Sequence, residues 1–166
     1  MPNLKSLLSP SMKKGLQKAI YAELYQSNLW KHIANQLQRL GYFGGQKYFL
    51  GESAEELTHY QIFVDFINDM GDVADVPKID AIEDEVDSIA TALQIAYDME
   101  LDVYNQYKKF YEEAEDEDCA VGIFMQQFVT IQLKAVGSYG DLISRYNRCG
   151  TNEAAILEFD RYLSKQ

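Results

Sequence analysis

Glu56 and His59 are the two residues whose types and spacing most directly offer chemistry. Residues three apart on a helix share a face. The Glu-x-x-His pair inside Ala54-Glu55-Glu56-Leu57-Thr58-His59-Tyr60-Gln61 therefore sets a carboxylate beside an imidazole, able to grip one metal ion. Taken alone, the pair equally describes a surface glutamate next to a half-buried histidine. Three further polar residues interrupt apolar neighbourhoods in mid-helix. They are Glu23 in Ala22-Glu23-Leu24-Tyr25, Glu100 in Met99-Glu100-Leu101, and Gln132 in Ile131-Gln132-Leu133. A carboxylate buried there is costly unless it is paired or bound to a metal.

The elements that must position these residues read as helices. Proline occurs only at positions 2, 10 and 77, so long stretches are free of breakers. Ser9-Pro10 has the form of a helix cap followed by a first-turn proline. Apolar residues at helical spacing predict a helix over about 10–40, stopped by Gly41 and Gly44-Gly45. A second is expected over about 46–70, with Phe49, Leu57, Ile62, Phe63, Phe66 and Ile67 on its apolar side and Gly71 as its stop. Residues 71–83 lack periodicity and form the longest connection. A third helix is expected over about 84–114 and a fourth over about 118–147, the latter with Phe124, Phe128, Ile131, Leu133 and Leu142. A last short helix over about 152–164 is capped by Thr151 or Asn152. The expected fold is all-α and a single domain: two antiparallel hairpins joined by a long crossover into a four-helix bundle, plus a short fifth helix.

Composition narrows the chemistry. The 166 residues carry 15 basic and 26 acidic side chains, a formal net charge of −11. That disfavours nucleic acid, whose phosphates would be repelled, and favours cationic partners. Two cysteines, Cys119 and Cys149, form no Cys-x-x-Cys pair, and there are two histidines. A metal here must be held mostly by carboxylates, which points to iron, manganese or magnesium. No apolar run approaches the roughly 20 residues of a membrane span. The opening Met1-Pro2-Asn3-Leu4-Lys5-Ser6-Leu7-Leu8 lacks a secretory core, so the expectation is a cytoplasmic protein with no membrane partner.

The register of the polar residues joins these threads. Glu56 follows Glu23 by 33 residues, and Gln132 follows Glu100 by 32. Each hairpin thus sets its polar residues at one height. One carboxylate from each of two helices, with Glu-x-x-His from the other two, is the pattern of dinuclear carboxylate bundles. Here Gln132-x-x-Ala135 stands where the second Glu-x-x-His would be. One metal would be held by Glu23, Glu56 and His59. The second would share Glu56 and add Glu100, with Gln132 a weak neutral neighbour, and would exchange more readily.

With these motifs the chain resembles the ferritins, and most closely the bacterial non-haem ferritins. The resemblance runs from about Leu16 to the tail Ile156-Leu157-Glu158-Phe159-Asp160-Arg161-Tyr162-Leu163. It implies that Glu23, Glu56, His59, Glu100 and Gln132 form a ferroxidase centre. Such a centre binds two Fe(II) per subunit, oxidises them with dioxygen, and passes Fe(III) into a 24-subunit shell, with no haem. Departures are visible. Trp30 stands where the family usually has a tyrosine, and Ala135 and Lys134 replace acids that many members use for a third iron. Val121-Gly122-Ile123-Phe124-Met125 replaces an acidic channel segment, and Glu115-Asp116-Glu117-Asp118 lies close by. The alternatives are a di-metal oxygenase-like enzyme on the same bundle, which calls for a second Glu-x-x-His, and a non-catalytic cage subunit, which calls for lost ligands. His32 is expected on the far side of its helix, Glu55 outward and Glu52 solvated. Tyr21, Tyr25, Tyr60, Tyr97 and Tyr104 are expected mostly in the core, with Cys119 and Cys149 as small apolar residues.

Overall fold

The computed structural model describes residues 5–166. Met1–Leu4, part of the opening stretch expected to lack a secretory core, lies outside the described residues. The elements are α1 (Pro10–Arg39), α2 (Phe43–Asp69), α3 (Ile89–Glu117), α4 (Cys119–Asn147) and α5 (Glu153–Leu163), with no strand among the described residues. The main packed pairs are α1 with α2 and α3 with α4, and α5 lies against α2. This is a four-helix bundle of two hairpins with a long crossover and a short fifth helix.

Side-chain caps start four of the helices. Ser9 accepts from the Met12 N–H at 3.2 Å with Pro10 in the first turn, and Ser88 accepts from Thr91 at 3.1 Å. Asp118 accepts from Ala120 and Val121, and Asn152 from Ala155. The fifth start is built differently. Gly44 and Gly45 were expected to help end the first helix, yet they lie in the first turn of α2. Their N–H groups donate to the buried Asp160 carboxylate of α5 at 3.0 and 2.7 Å. A side chain at Gly44 would run into the Asp160 backbone. Gly41, at φ +87°, turns the chain between α1 and α2.

α3 begins at Ile89 rather than at 84. The intervening residues are bound to α1. Gln36 donates to the Asp84 carbonyl at 2.9 Å and accepts from the Val86 N–H at 2.8 Å, and His32 Nε2 lies 2.9 Å from the same carbonyl. Further along, Gln17 bonds Asp75 and Tyr21 bonds Asp80. Gln17 and Tyr21, like His32 and Gln36, are one turn apart. The crossover is therefore laced along α1 for most of its length.

Two apolar clusters fill the bundle. One gathers Leu16, Ile20, Phe63, Val103, Phe124 and Phe128, the other Leu29, Ile33, Leu37, Phe49, Leu93 and Leu142. Each such side chain contributes about 1.5–3 kcal/mol by leaving water. Near the middle of the helices lie buried Glu23, Gln26, Ser27, Ser53, Glu56, Glu100 and Gln132.

Several expected core residues face outward. Leu57, Ile62, Ile131 and Leu133 are exposed. Tyr25, Tyr60 and Tyr97 are half-buried and pack against the two apolar clusters as expected, Tyr21 and Tyr104 are half-buried, and Tyr107 and Tyr139 are deeply buried. Cys119 is exposed rather than packed. Exposed Ile123, Ile131 and Leu133 also help make α4 apolar enough, at a mean hydropathy of 1.3 over 18 residues, to cross a bilayer by length and composition. The expectation that no run approaches that length does not hold for α4. Its other side packs on α3 and carries Gln132 into the interior.

Candidate metal centre

Glu23 comes from α1, Glu56 and His59 from α2, Glu100 from α3 and Gln132 from α4. All four helices thus contribute at one level of the bundle. Glu23, Glu56, Glu100 and Gln132 are buried, and the His59 side chain is 14% exposed. A cavity of about 300 Å³ is lined by Glu52, Glu56, His59, Glu100, Gln132 and Ala135.

The five residues meet in two groups. In the first, His59 Nδ1 lies 2.9 Å from Glu56 Oε2 and 3.5 Å from Glu23 Oε2. One ligand atom from each of the three residues lies within 4.8 Å of the others. Glu23 Oε2 is buried and has no hydrogen-bond partner. An orphaned carboxylate oxygen is unfavourable in an apolar interior, and a cation between it, Glu56 and His59 would satisfy it. Oxygen donors with one imidazole suit iron or manganese. In the second group, Gln132 Nε2 donates to Glu100 Oε2 and lies 3.3 Å from the Glu100 carbonyl. Gln132 spends its amide on the carboxylate beside it, and Ala135 offers no donor.

Electrostatics follow from burial. Desolvation pushes Glu23 up to about 8, with the Glu56 charge adding to it and His59 opposing it. Burial works against a charged His59, but Glu23 and Glu56 overcome it and raise the imidazole to about 10. Glu100 is pushed well above the usual carboxylate range by burial and then by Glu56. Without a cation, burial and the neighbouring charges favour the protonated forms of Glu23 and His59.

Three further donors reach the centre. Tyr107 of α3 donates its hydroxyl to Glu23 Oε1. Gln26 of α1 donates to Glu100 Oε2 at 3.1 Å. Trp30, noted for replacing a tyrosine, donates its indole N–H to Glu56 Oε1 at 3.1 Å. A phenol therefore does reach the centre, from α3 rather than from position 30. Spacing held the signal: Gln26 is three residues after Glu23, and Tyr107 seven after Glu100, so each shares a face with a carboxylate.

Glu52, expected to be solvated, is half-buried, accepts from Tyr139 at 3.0 Å, and is raised to about 7 by burial. Glu55 and Lys134 are exposed, and His32 binds the crossover.

Comparison with known proteins gives a consistent picture. Residues 13–149 match the family model described as a ferritin-like domain. A probable bacterial non-haem ferritin-like protein of Haemophilus influenzae is 22% identical over 158 residues, covering 95% of this chain and 96% of that one. A bacterial non-haem ferritin of Bacteroides fragilis is 23% identical over 161 residues, covering 96% and 100%. Among solved structures, the open pore ferritin of the hyperthermophilic archaeon Archaeoglobus fulgidus superposes with a TM-score of 0.92 at 26% identity, covering 96% of this chain and 99% of that one.

Proposed function

Because this chain belongs to the ferritin-like domain family, we propose that it is an iron-storage ferritin with ferroxidase activity. Fe(II) and dioxygen are its substrates, and two iron ions are taken per subunit. The Fe(III) product is kept as mineral inside a cytoplasmic cage of 24 copies. The observation that supports this best is the buried, unpartnered Glu23 Oε2 facing Glu56 Oε2 and His59 Nδ1. A bundle that only needed to fold would have no use for that atom.

In this reading Glu23, Glu56 and His59 hold the first ion, and Glu56, Glu100 and Gln132 the second. Fe(II) displaces the protons on Glu23 and His59. Carboxylate oxygens stabilise Fe(III) more than Fe(II), which favours the loss of one electron from each ion to dioxygen. Gln132 is neutral and hydrogen-bonded to Glu100, and Ala135 contributes nothing. The second position is accordingly the looser one and lets product leave for the interior.

The test is aerobic addition of Fe(II) to the purified protein, with Fe(III) formation and particle size followed together. Rapid oxidation by a large shell, lost in Glu56→Ala, is the expected result. A monomer or dimer that oxidises iron no faster than buffer refutes the proposal.

A further inference from the structure

The two carboxylates of the first position are each held from behind at Oε1. Tyr107 donates its hydroxyl to Glu23 Oε1, and Trp30 donates its indole N–H to Glu56 Oε1. Neither donor touches Oε2 of either residue. Those two Oε2 atoms are the ones that face His59 Nδ1, at 3.5 and 2.9 Å. The donors come from different helices, α3 and α1, and both are almost wholly buried. Trp30 is packed against Phe49 and Tyr139, with ring centroids at 5.8 and 6.0 Å. Tyr107 packs against Phe63 at 5.8 Å. Side chains so confined keep their rotamers and direct their N–H and O–H bonds.

We propose that Tyr107 and Trp30 are positioning residues that present Glu23 and Glu56 to the first position through one oxygen each, with Oε2 aimed at the place shared with His59. The inference rests on the ferroxidase reading and adds to it a named pair of residues that prepare the first position. Hydrogen bonds from behind a ligand orient it and tune its basicity. Without them, each carboxylate could rotate, chelate with both oxygens, or turn away. Gln26 makes the comparable contact to Glu100 Oε2, but Gln132 shares that oxygen, so the second position is less sharply defined.

Trp30 is the only tryptophan in the chain, which makes the proposal readable without turnover. The assembled protein is titrated with Zn(II), which is redox-inert, and followed by tryptophan emission, phenol difference absorbance and equilibrium dialysis. The expected result is that emission and phenol absorbance change together and saturate with the first Zn(II) per subunit. A tryptophan that only fills the core would not respond. Tyr107→Phe and Trp30→Phe keep the ring packing and remove the donor, and each should lower first-site affinity by about 10- to 100-fold. Unchanged wild-type signals at saturating Zn(II) overturn the inference, and so does wild-type affinity in both variants. If a variant does not fold, the wild-type signals decide. If wild-type protein binds no more Zn(II) than His59→Ala does, the ferroxidase reading falls, and this inference with it.

Discussion

Metal binding at the first position should be steeply dependent on pH, because two of its three ligands hold protons when the centre is empty. Burial raises Glu23 to about 8, and the two carboxylates raise His59 to about 10. A cation binds the deprotonated carboxylate and the neutral imidazole. Below about pH 8 each ion must displace one proton from Glu23 and one from His59. Apparent affinity then falls about hundredfold per pH unit, or about a thousandfold from pH 7.5 to 6. Between about 8 and 10 only the imidazole proton remains, and the slope drops to about tenfold per unit. The pair titrates together, so the measured quantity is the sum of protons released. Zn(II) calorimetry in buffers of different ionisation enthalpy gives that number directly. About two protons per first-site ion at pH 7 is the expected value. Release of fewer than one, with affinity flat from pH 6 to 8, would refute the reasoning.

Other consequences are equally open to test. Glu23 and His59 both have folded values above their ordinary ones, so the stability they contribute is present in full at low pH. It is lost as pH rises through about 8 and about 10. Metal-free protein should melt lower at about pH 8.5 than at about pH 5.5, and Zn(II) should reverse the difference; the opposite order in a thermal scan would contradict it. Asp160→Ala strips the acceptor from two buried N–H groups at the start of α2. It should lower stability by about 3 kcal/mol, measured as an earlier denaturant midpoint with loosening of α5. The double change Gln132→Glu with Ala135→His rebuilds a second Glu-x-x-His beside Glu100. Retention of the second ion should rise at least about tenfold, about 1.4 kcal/mol, in dialysis against chelator, and mineral growth should slow because that ion no longer leaves.

Much of this arrangement was legible in the residues themselves. Glu56-x-x-His59 and the matching intervals within the two hairpins are properties of single helices and of loop length, so periodicity exposes them. The start of α3 was not legible, because the residues before Ser88 form bonds to His32 and Gln36 of another helix. The same reason hid Tyr107. Its spacing marks it as an inward residue of α3, but only the packed bundle shows its hydroxyl meeting Glu23 of α1. Leu57, Ile131 and Leu133 misled in the other direction. An apolar residue beside an inward position looks like core until the geometry of the neighbouring helix is known. Gly44 and Gly45 read as a helix stop because their partner, Asp160, lies more than a hundred residues away.

Anomalous diffraction at the iron edge, from crystals soaked in Fe(II) without oxygen, tests the central claim most directly. Two peaks per subunit are expected, a strong one among Glu23, Glu56 and His59 and a weaker one among Glu56, Glu100 and Gln132. Iron found only elsewhere on the subunit, with both positions empty at saturating Fe(II), would contradict it.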